Sequence, residues 1–172
     1  MATGTKISTN GVEPVVTGPV MQARRVGRGP AIWLAGDPED LKNWMDRGAA
    51  GIVTNTVVLN DMVKKYGQIK DVVQRYLDIT DKPVVVEVDG HSTDELLDVS
   101  HFFTRMSDQI IIKVPCTANG LGAFRRLAEE GIETYCTTVF SMPQAAAVAQ
   151  AGAPPTLPLR PPPPPTCGAP PP

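Results

Sequence analysis

The chain has 172 residues, with 16 Lys and Arg against 18 Asp and Glu for a formal net charge of −2. That length suits one domain of roughly 100–200 residues, and 42% hydrophobic residues can fill its core. A near-neutral balance lacks the basic excess of a nucleic-acid binder, and no apolar run approaches the roughly 20 residues of a membrane-spanning helix. Neither nucleic acid nor membrane is therefore an expected partner. Cys116, Cys136 and Cys167 lack metal-ligand spacing, which fits free thiols in a reducing cytoplasm with no metal.

The ends differ in composition from the middle. Of 18 prolines, 11 follow Ala153. Proline fixes φ and has no N–H, so residues 154–172 are expected as a disordered, polyproline-II-like tail that cannot extend a helix or enter a sheet interior. Residues 1–29 are rich in Gly, Pro and Thr without periodicity, carry Arg24, Arg25 and Arg28, and have no secretory apolar segment. They read as a flexible leader. The folded part is expected over residues 30–153.

Inside it, apolar runs alternate with helical patterns. Ala31–Leu34 is the first run, and Leu41, Trp44 and Met45 mark a helix over Pro38–Arg47 that ends at Gly48. Gly51–Thr54 is the second run, ending at Asn55. Apolar residues from Met62 to Leu77 predict one long helix over about Asn60–Asp78, weakened at Gly67. Pro83–Val88 is the third run, and Ser92 with Glu95 forms a candidate capping box for a helix to about Met106. Ile110–Val114 precedes a helix over Asn119–Glu130. Thr134–Phe140 is the fifth run, followed by a second capping box, Ser141 with Gln144, and an Ala-rich helix stopping at Gly152.

Five βα units in succession, with strands apolar at nearly every position, predict a parallel sheet covered on both faces. Ala35-Gly36-Asp37-Pro38 after the first strand offers no Gly-rich dinucleotide fingerprint, and no phosphate-loop sequence occurs. A β/α barrel is favoured over an open doubly wound sheet.

Two charged residues stand inside these runs. Lys113 lies in IIIKVP and Glu87 in VVVEVDG, on consecutive strands. Lys113 reads either as a strand-end lysine with a packed stem and a solvated head, or as a nucleophile that condenses with a carbonyl. An amine attacks only when unprotonated, and an apolar surround favours that form because charge loses hydration there. Glu87 reads either as half of a structural ion pair or as an acid/base group beside the lysine. Near the carboxyl ends of neighbouring barrel strands, the two can share one cavity.

The stretch IIIKVPCTANGLGAFRRLAEEGIETYCTTVFSMPQAAAVAQAGA, with EVD at Glu87 and GIVTN ending at Asn55, resembles the transaldolase family, including its fructose-6-phosphate aldolase type. The likeness covers about Ile32 to Ala153. It implies a class I aldolase-type TIM (β/α)8 barrel, of which about the first five βα units are present. It also implies enzymatic transfer or cleavage of a dihydroxyacetone unit of a sugar phosphate, in carbohydrate metabolism and the pentose phosphate pathway, without metal or organic cofactor. By this resemblance Lys113 forms the Schiff base, Glu87 is the acid/base carboxylate, and Thr137 helps hold the catalytic water. Thr54 and Asn55 would contact the dihydroxyacetone part, although both also suit a plain strand-to-loop turn.

Departures are specific. Ala35 stands where the family has an aspartate after the first strand, leaving Asp37 as a candidate substitute acid if the turn bends it inward. Thr56 replaces a proline, and Tyr135 stands where transaldolases often have Asn. His91 follows the third strand without a matching motif. The likeness stops within a residue of Ala153, so truncation or a frameshift is expected, with the later strands and their phosphate-binding residues missing. The alternatives are a catalytically inactive remnant, or a binding protein using its tail, where Pro155–Arg160 fits a PxxPxR ligand pattern. The expected partner is a sugar-phosphate substrate, and self-association into a homo-oligomer is compatible with the sequence.

Overall fold

The computed structural model describes residues 31–152 and the strand Thr156–Pro158. The leader, and all but three residues of the proline-rich tail, lie outside the described residues. The elements run β1 (Trp33–Leu34), α1 (Pro38–Asp46), β2 (Gly51–Val53), α2 (Thr56–Tyr66), α3 (Ile69–Asp78), β3 (Val84–Glu87), α4 (Thr93–Thr104), β4 (Ile110–Pro115), α5 (Ala118–Glu129), β5 (Thr134–Val139), α6 (Met142–Gln150) and β6 (Thr156–Pro158). The strands pair in sequence order, and every pairing is parallel.

Local chemistry explains the boundaries. Each helix that follows a strand starts at a polar cap whose side chain accepts a backbone N–H: Asp37 for α1, Asn55 for α2, Ser92 for α4, Thr117 for α5 and Ser141 for α6. In both capping boxes the third helical residue reaches back one position further than expected. Glu95 accepts from the His91 amide at 2.7 Å, and Gln144 accepts from the Phe140 amide at 2.8 Å. His91 is thus part of a helix start.

Two expectations need correction. The long helix is two, because Gly67 takes φ +97° and ends α2 before α3 begins. A positive φ suits glycine best, so the residue that weakens a continuous helix also terminates one. The second concerns the tail. Thr156–Pro158 pairs with β5 as a sixth strand, on the sheet edge. Proline is tolerated there because its missing N–H breaks no interior ladder.

The main core lies between sheet and helices. Ile52, Val84, Val86, Ile112 and Val114 meet Val72, Val73, Tyr76, Leu96, Phe124 and Leu127. Val85 and Ile111 are also buried but belong to the opposite, concave face, since alternate strand residues face opposite sides.

The sheet curls as a barrel does. Following the pairings from Trp33 strand by strand leads through Gly51, Pro83 and Gln109 to Gly131. Yet the Trp33 ring meets Tyr135, four positions beyond Gly131, with ring centroids 5.8 Å apart. Four residues over four strand steps is the one-residue-per-strand stagger of an eight-stranded barrel with shear eight. The concave residues accordingly stack in layers drawn from alternate strands. Trp33, Val85 and Tyr135 form one layer. Val53 and Lys113 come next, toward the carboxyl ends, followed by Ala35, Glu87 and Thr137. The fold is a partial TIM barrel.

Candidate active site

Lys113 is 8% exposed, at the fourth position of β4. Its stem crosses β3, and Nζ lies 2.7 Å from Glu87 Oε2 and donates to the Thr54 carbonyl at 3.1 Å. Glu87 ends β3, and Thr54 follows β2, so three successive strand ends converge on one amine. Both side chains of the ion pair keep only slight solvent access, 9% and 14%. At such sites a charge persists only if it is paired and hydrogen-bonded, and here each is. The 2.7 Å separation is that of an ion pair.

Thr54 is also buried, and its hydroxyl locks β2 to β3. Oγ1 donates to the Val85 carbonyl at 3.1 Å and accepts from the Glu87 amide at 3.1 Å. The expected substrate contact thus meets Lys113 through its carbonyl, while its hydroxyl holds the backbone of the carboxylate's own residue. Asn55 caps α2, with Oδ1 accepting from the Val58 amide at 2.8 Å. Thr137 is buried in the same layer as Glu87. Beside it Thr138 adopts φ +60°, an uncommon conformation for a β-branched residue, and its hydroxyl accepts from the Cys116 amide at 3.0 Å.

Asp37 is directed elsewhere. Its Oδ1 accepts from the Glu39 amide at 3.0 Å and the Tyr66 hydroxyl at 2.6 Å, and Oδ2 sits 2.7 Å from Lys65 Nζ. Burial works against its charge, but the bonds to Lys65, Tyr66 and the Glu39 amide outweigh it and hold the carboxyl below its ordinary value. An acid so held is a poor proton donor near neutrality. The turn does not bend Asp37 toward Lys113, since the cap geometry and the Lys65 pair fix it on the α1–α2 side.

Sequence reasoning did not find Trp33 or the Thr54 carbonyl. The first depends on a contact between β1 and β5, and the second is a backbone atom, which carries no residue signature. Among the described residues no group of three or more His, Cys, Asp or Glu is arranged to hold a metal ion. No described helix is long and apolar enough to cross a membrane. Cys116 and Cys136 are free thiols. A shallow depression between α4 and α5, lined by Asp94, His101, Arg126 and Glu130, lies on the outer helical layer and holds surface ion pairs.

The site is a buried lysine–carboxylate pair at the carboxyl ends of consecutive strands of a partial TIM barrel. Comparison with known proteins is more specific. The sequence profile of the family described as Transaldolase/Fructose-6-phosphate aldolase matches residues 42–157. A probable transaldolase of Thermoplasma volcanium is 35% identical over 118 residues, covering 66% of this chain and 52% of that protein. Another, from Desulforapulum autotrophicum, is 32% identical over 116 residues, covering 67% and 53%. A probable transaldolase 1 of Listeria monocytogenes is 36% identical over 105 residues, covering 60% and 47%. The chain belongs to the transaldolase/fructose-6-phosphate aldolase family. It spans about half the length of these curated relatives.

Proposed function

We propose that this chain carries the imine-forming part of a transaldolase-type site, acting on a ketose phosphate in cytoplasmic carbohydrate metabolism, where the pentose phosphate pathway handles such sugars. The observation that carries the reading is the 2.7 Å contact between Lys113 and Glu87. When a ketone enters from the carboxyl ends, the ammonium passes a proton to Glu87 and its freed lone pair attacks the carbonyl carbon. Glu87 gives that proton to the alkoxide oxygen, takes a second from the tetrahedral nitrogen and passes it to the resulting hydroxyl, which leaves as water while the iminium forms on Nζ. The Thr54 carbonyl holds Nζ in place. Thr137 binds the water, and the Asn55 amide nitrogen, unused by the α2 cap, is left to meet a substrate hydroxyl. No step calls on a metal or an organic cofactor. Transfer of the dihydroxyacetone unit and simple cleavage both begin with this iminium.

The test is borohydride reduction in the presence of fructose 6-phosphate. A covalent adduct is expected on the peptide containing Lys113 and is expected to vanish in Lys113→Met. An unlabelled wild-type protein would overturn the reading.

A second reading, a catalytically inactive remnant, is favoured by Ala35. This residue shares a layer with Glu87 and Thr137 and occupies the place of the aspartate that the family resemblance implies for proton transfer and cleavage. Imine trapping without turnover of fructose 6-phosphate would select it.

A further inference from the structure

The ladder between β2 and β3 follows the parallel pattern up to its last rung and then departs from it. Ile52 pairs with Val84 and Val53 with Val85. In that register Ile52 donates its amide to the Pro83 carbonyl at 3.0 Å, and Thr54 donates to the Val85 carbonyl at 2.8 Å. A residue of a parallel pair that donates to one neighbour accepts from the residue two further along the same strand, so the Glu87 amide is due on the Thr54 carbonyl. It is bonded elsewhere. The Glu87 amide donates to the Thr54 hydroxyl at 3.1 Å, and the Thr54 carbonyl accepts from Lys113 Nζ at 3.1 Å. The other side of β3 keeps the regular form at this level, with Val88 donating to the Lys113 carbonyl at 2.9 Å.

An exchange of acceptors accounts for the departure. A buried amide without an acceptor is costly, and the Thr54 hydroxyl supplies one, held in place by its own bond to the Val85 carbonyl at 3.1 Å. The Thr54 carbonyl is then spare and turns to the amine. Thr54 is only 1% exposed. Its neighbour Val53 faces the trough, which puts the Thr54 side chain on the opposite face of the sheet. A ketone in the trough therefore meets neither its hydroxyl nor its methyl group.

We propose that Thr54 is a positioning residue rather than a substrate contact: its hydroxyl replaces its own carbonyl in the sheet, which frees that carbonyl to fix the direction of the Lys113 amine. The inference rests on the imine reading above and deepens it. With one N–H on this carbonyl and another facing Glu87, rotation about the Cε–Nζ bond is set before a ketone arrives. Such orientation speeds attack without changing how tightly the ketone is held. The position thus requires a hydroxyl on Cβ. Serine meets that requirement, and valine, close to threonine in shape, does not.

The experiment follows cyanoborohydride trapping on Lys113 over a range of fructose 6-phosphate concentrations in wild type, Thr54→Val and Thr54→Ser, with melting curves to show that each is folded. In the trapped product Nζ is bonded to the carbonyl carbon, the oxygen has left as water, and hydride has added to the iminium carbon. Thr54→Val is expected to lower the labelling rate at saturating sugar roughly tenfold, with the half-saturating concentration within about twofold of wild type. Thr54→Ser is expected to recover most of that rate. Should Thr54→Val not fold, Thr54→Ala takes its place. A half-saturating concentration that rises while the rate holds makes Thr54 a substrate contact and overturns the positioning role. So does a Thr54→Ser variant as slow as Thr54→Val, or a Thr54→Val variant as fast as wild type. A crystal structure of Thr54→Val gives a readout independent of the imine. The carbonyl at position 54 is expected on the Glu87 amide, and finding it still on Nζ overturns the exchange while the imine reading stands. A wild type that is not labelled at any concentration overturns the imine reading, and the positioning role with it.

Discussion

The Lys113–Glu87 pair permits a quantitative test through its burial. Each side chain is at least 86% covered and within 2.7 Å of the other. Removing one partner of such a pair leaves the other charge buried and unmatched, at a cost of roughly 3–5 kcal/mol. The slight solvent access places this pair near the lower end, about 3 kcal/mol for Lys113→Met or Glu87→Leu alone. For a folded unit of this size each kcal/mol moves the melting temperature by about 3–5 °C, so each single variant should melt about 10 °C lower. The double variant removes both charges and fills the space with apolar groups of similar length, an exchange that is often neutral or stabilising. It should melt within about 3 °C of wild type. Thermal denaturation followed by circular dichroism, run as a double-mutant cycle, measures the coupling. Single losses under about 1 kcal/mol, the behaviour of a solvated pair, or a double variant equal to the sum of its singles would refute the buried-pair reasoning.

Three further outcomes follow from the same geometry. Asp37→Ala removes the α1 cap and the Lys65 and Tyr66 contacts, so it should cost about 1 kcal/mol in urea titration through the cap alone, while borohydride labelling of Lys113 is unchanged. Because the Asp37 carboxyl is held below its ordinary value of 3.8, its contribution is complete above that pH and fades as the pH falls through the lowered value. The stability gap between wild type and Asp37→Ala should therefore close in acid and stay constant from pH 5 to 8. Gly51→Ala and Gly67→Ala separate steric from backbone costs by melting: Gly51→Ala forces a Cβ within 2.6 Å of the Pro83 carbonyl as well as against Trp33, for about 1–3 kcal/mol. Gly67→Ala meets nothing within 4 Å but must hold φ +97° with ψ −126°, a conformation nearly confined to glycine, at a cost of about 1–3 kcal/mol. Finally, burial foremost, with Cys116 alongside, pushes the Cys136 thiol up to about 12, so iodoacetamide at pH 8 should modify Cys116 in the folded protein and reach Cys136 only on unfolding, as read by peptide mass spectrometry.

What the sequence disclosed, and what it withheld, follows from the range of the interactions involved. The βα alternation was legible because each strand is a run of buried β-branched residues and each cap a polar residue at a fixed distance from its helix. Lys113 and Glu87 were legible as charges in runs that otherwise exclude them. Gly67 was ambiguous because the same residue lowers helix propensity and supplies a helix end. The strand at Thr156–Pro158 ran against its composition, which favours a solvated extended chain, because an edge position asks little of a proline. Asp37 illustrates the limit most sharply. Its spacing after β1 allowed an inward turn, but its orientation is set by Lys65 and Tyr66, almost thirty residues further on.

The layered stagger explains why the chemistry gathers at Lys113 in a sheet of only six strands. Lysine is the side chain long enough to start in one layer and end in the next, so from β4 its amine rises to the level of Glu87, Thr137 and the strand end at Thr54. Of the three described strands that contribute to the upper layer, β3 and β5 present Glu87 and Thr137, while the chain leaving β1 presents the methyl group of Ala35. A threonine hydroxyl does not ionise near neutrality. Among the described residues, Glu87 is therefore the one carboxylate at this level, and it is already engaged by the amine. On the imine reading proposed above, such a site suits making and breaking an imine, where each proton passes through Glu87 in turn. It is less suited to a carbon–carbon cleavage that needs a second base while the first is occupied.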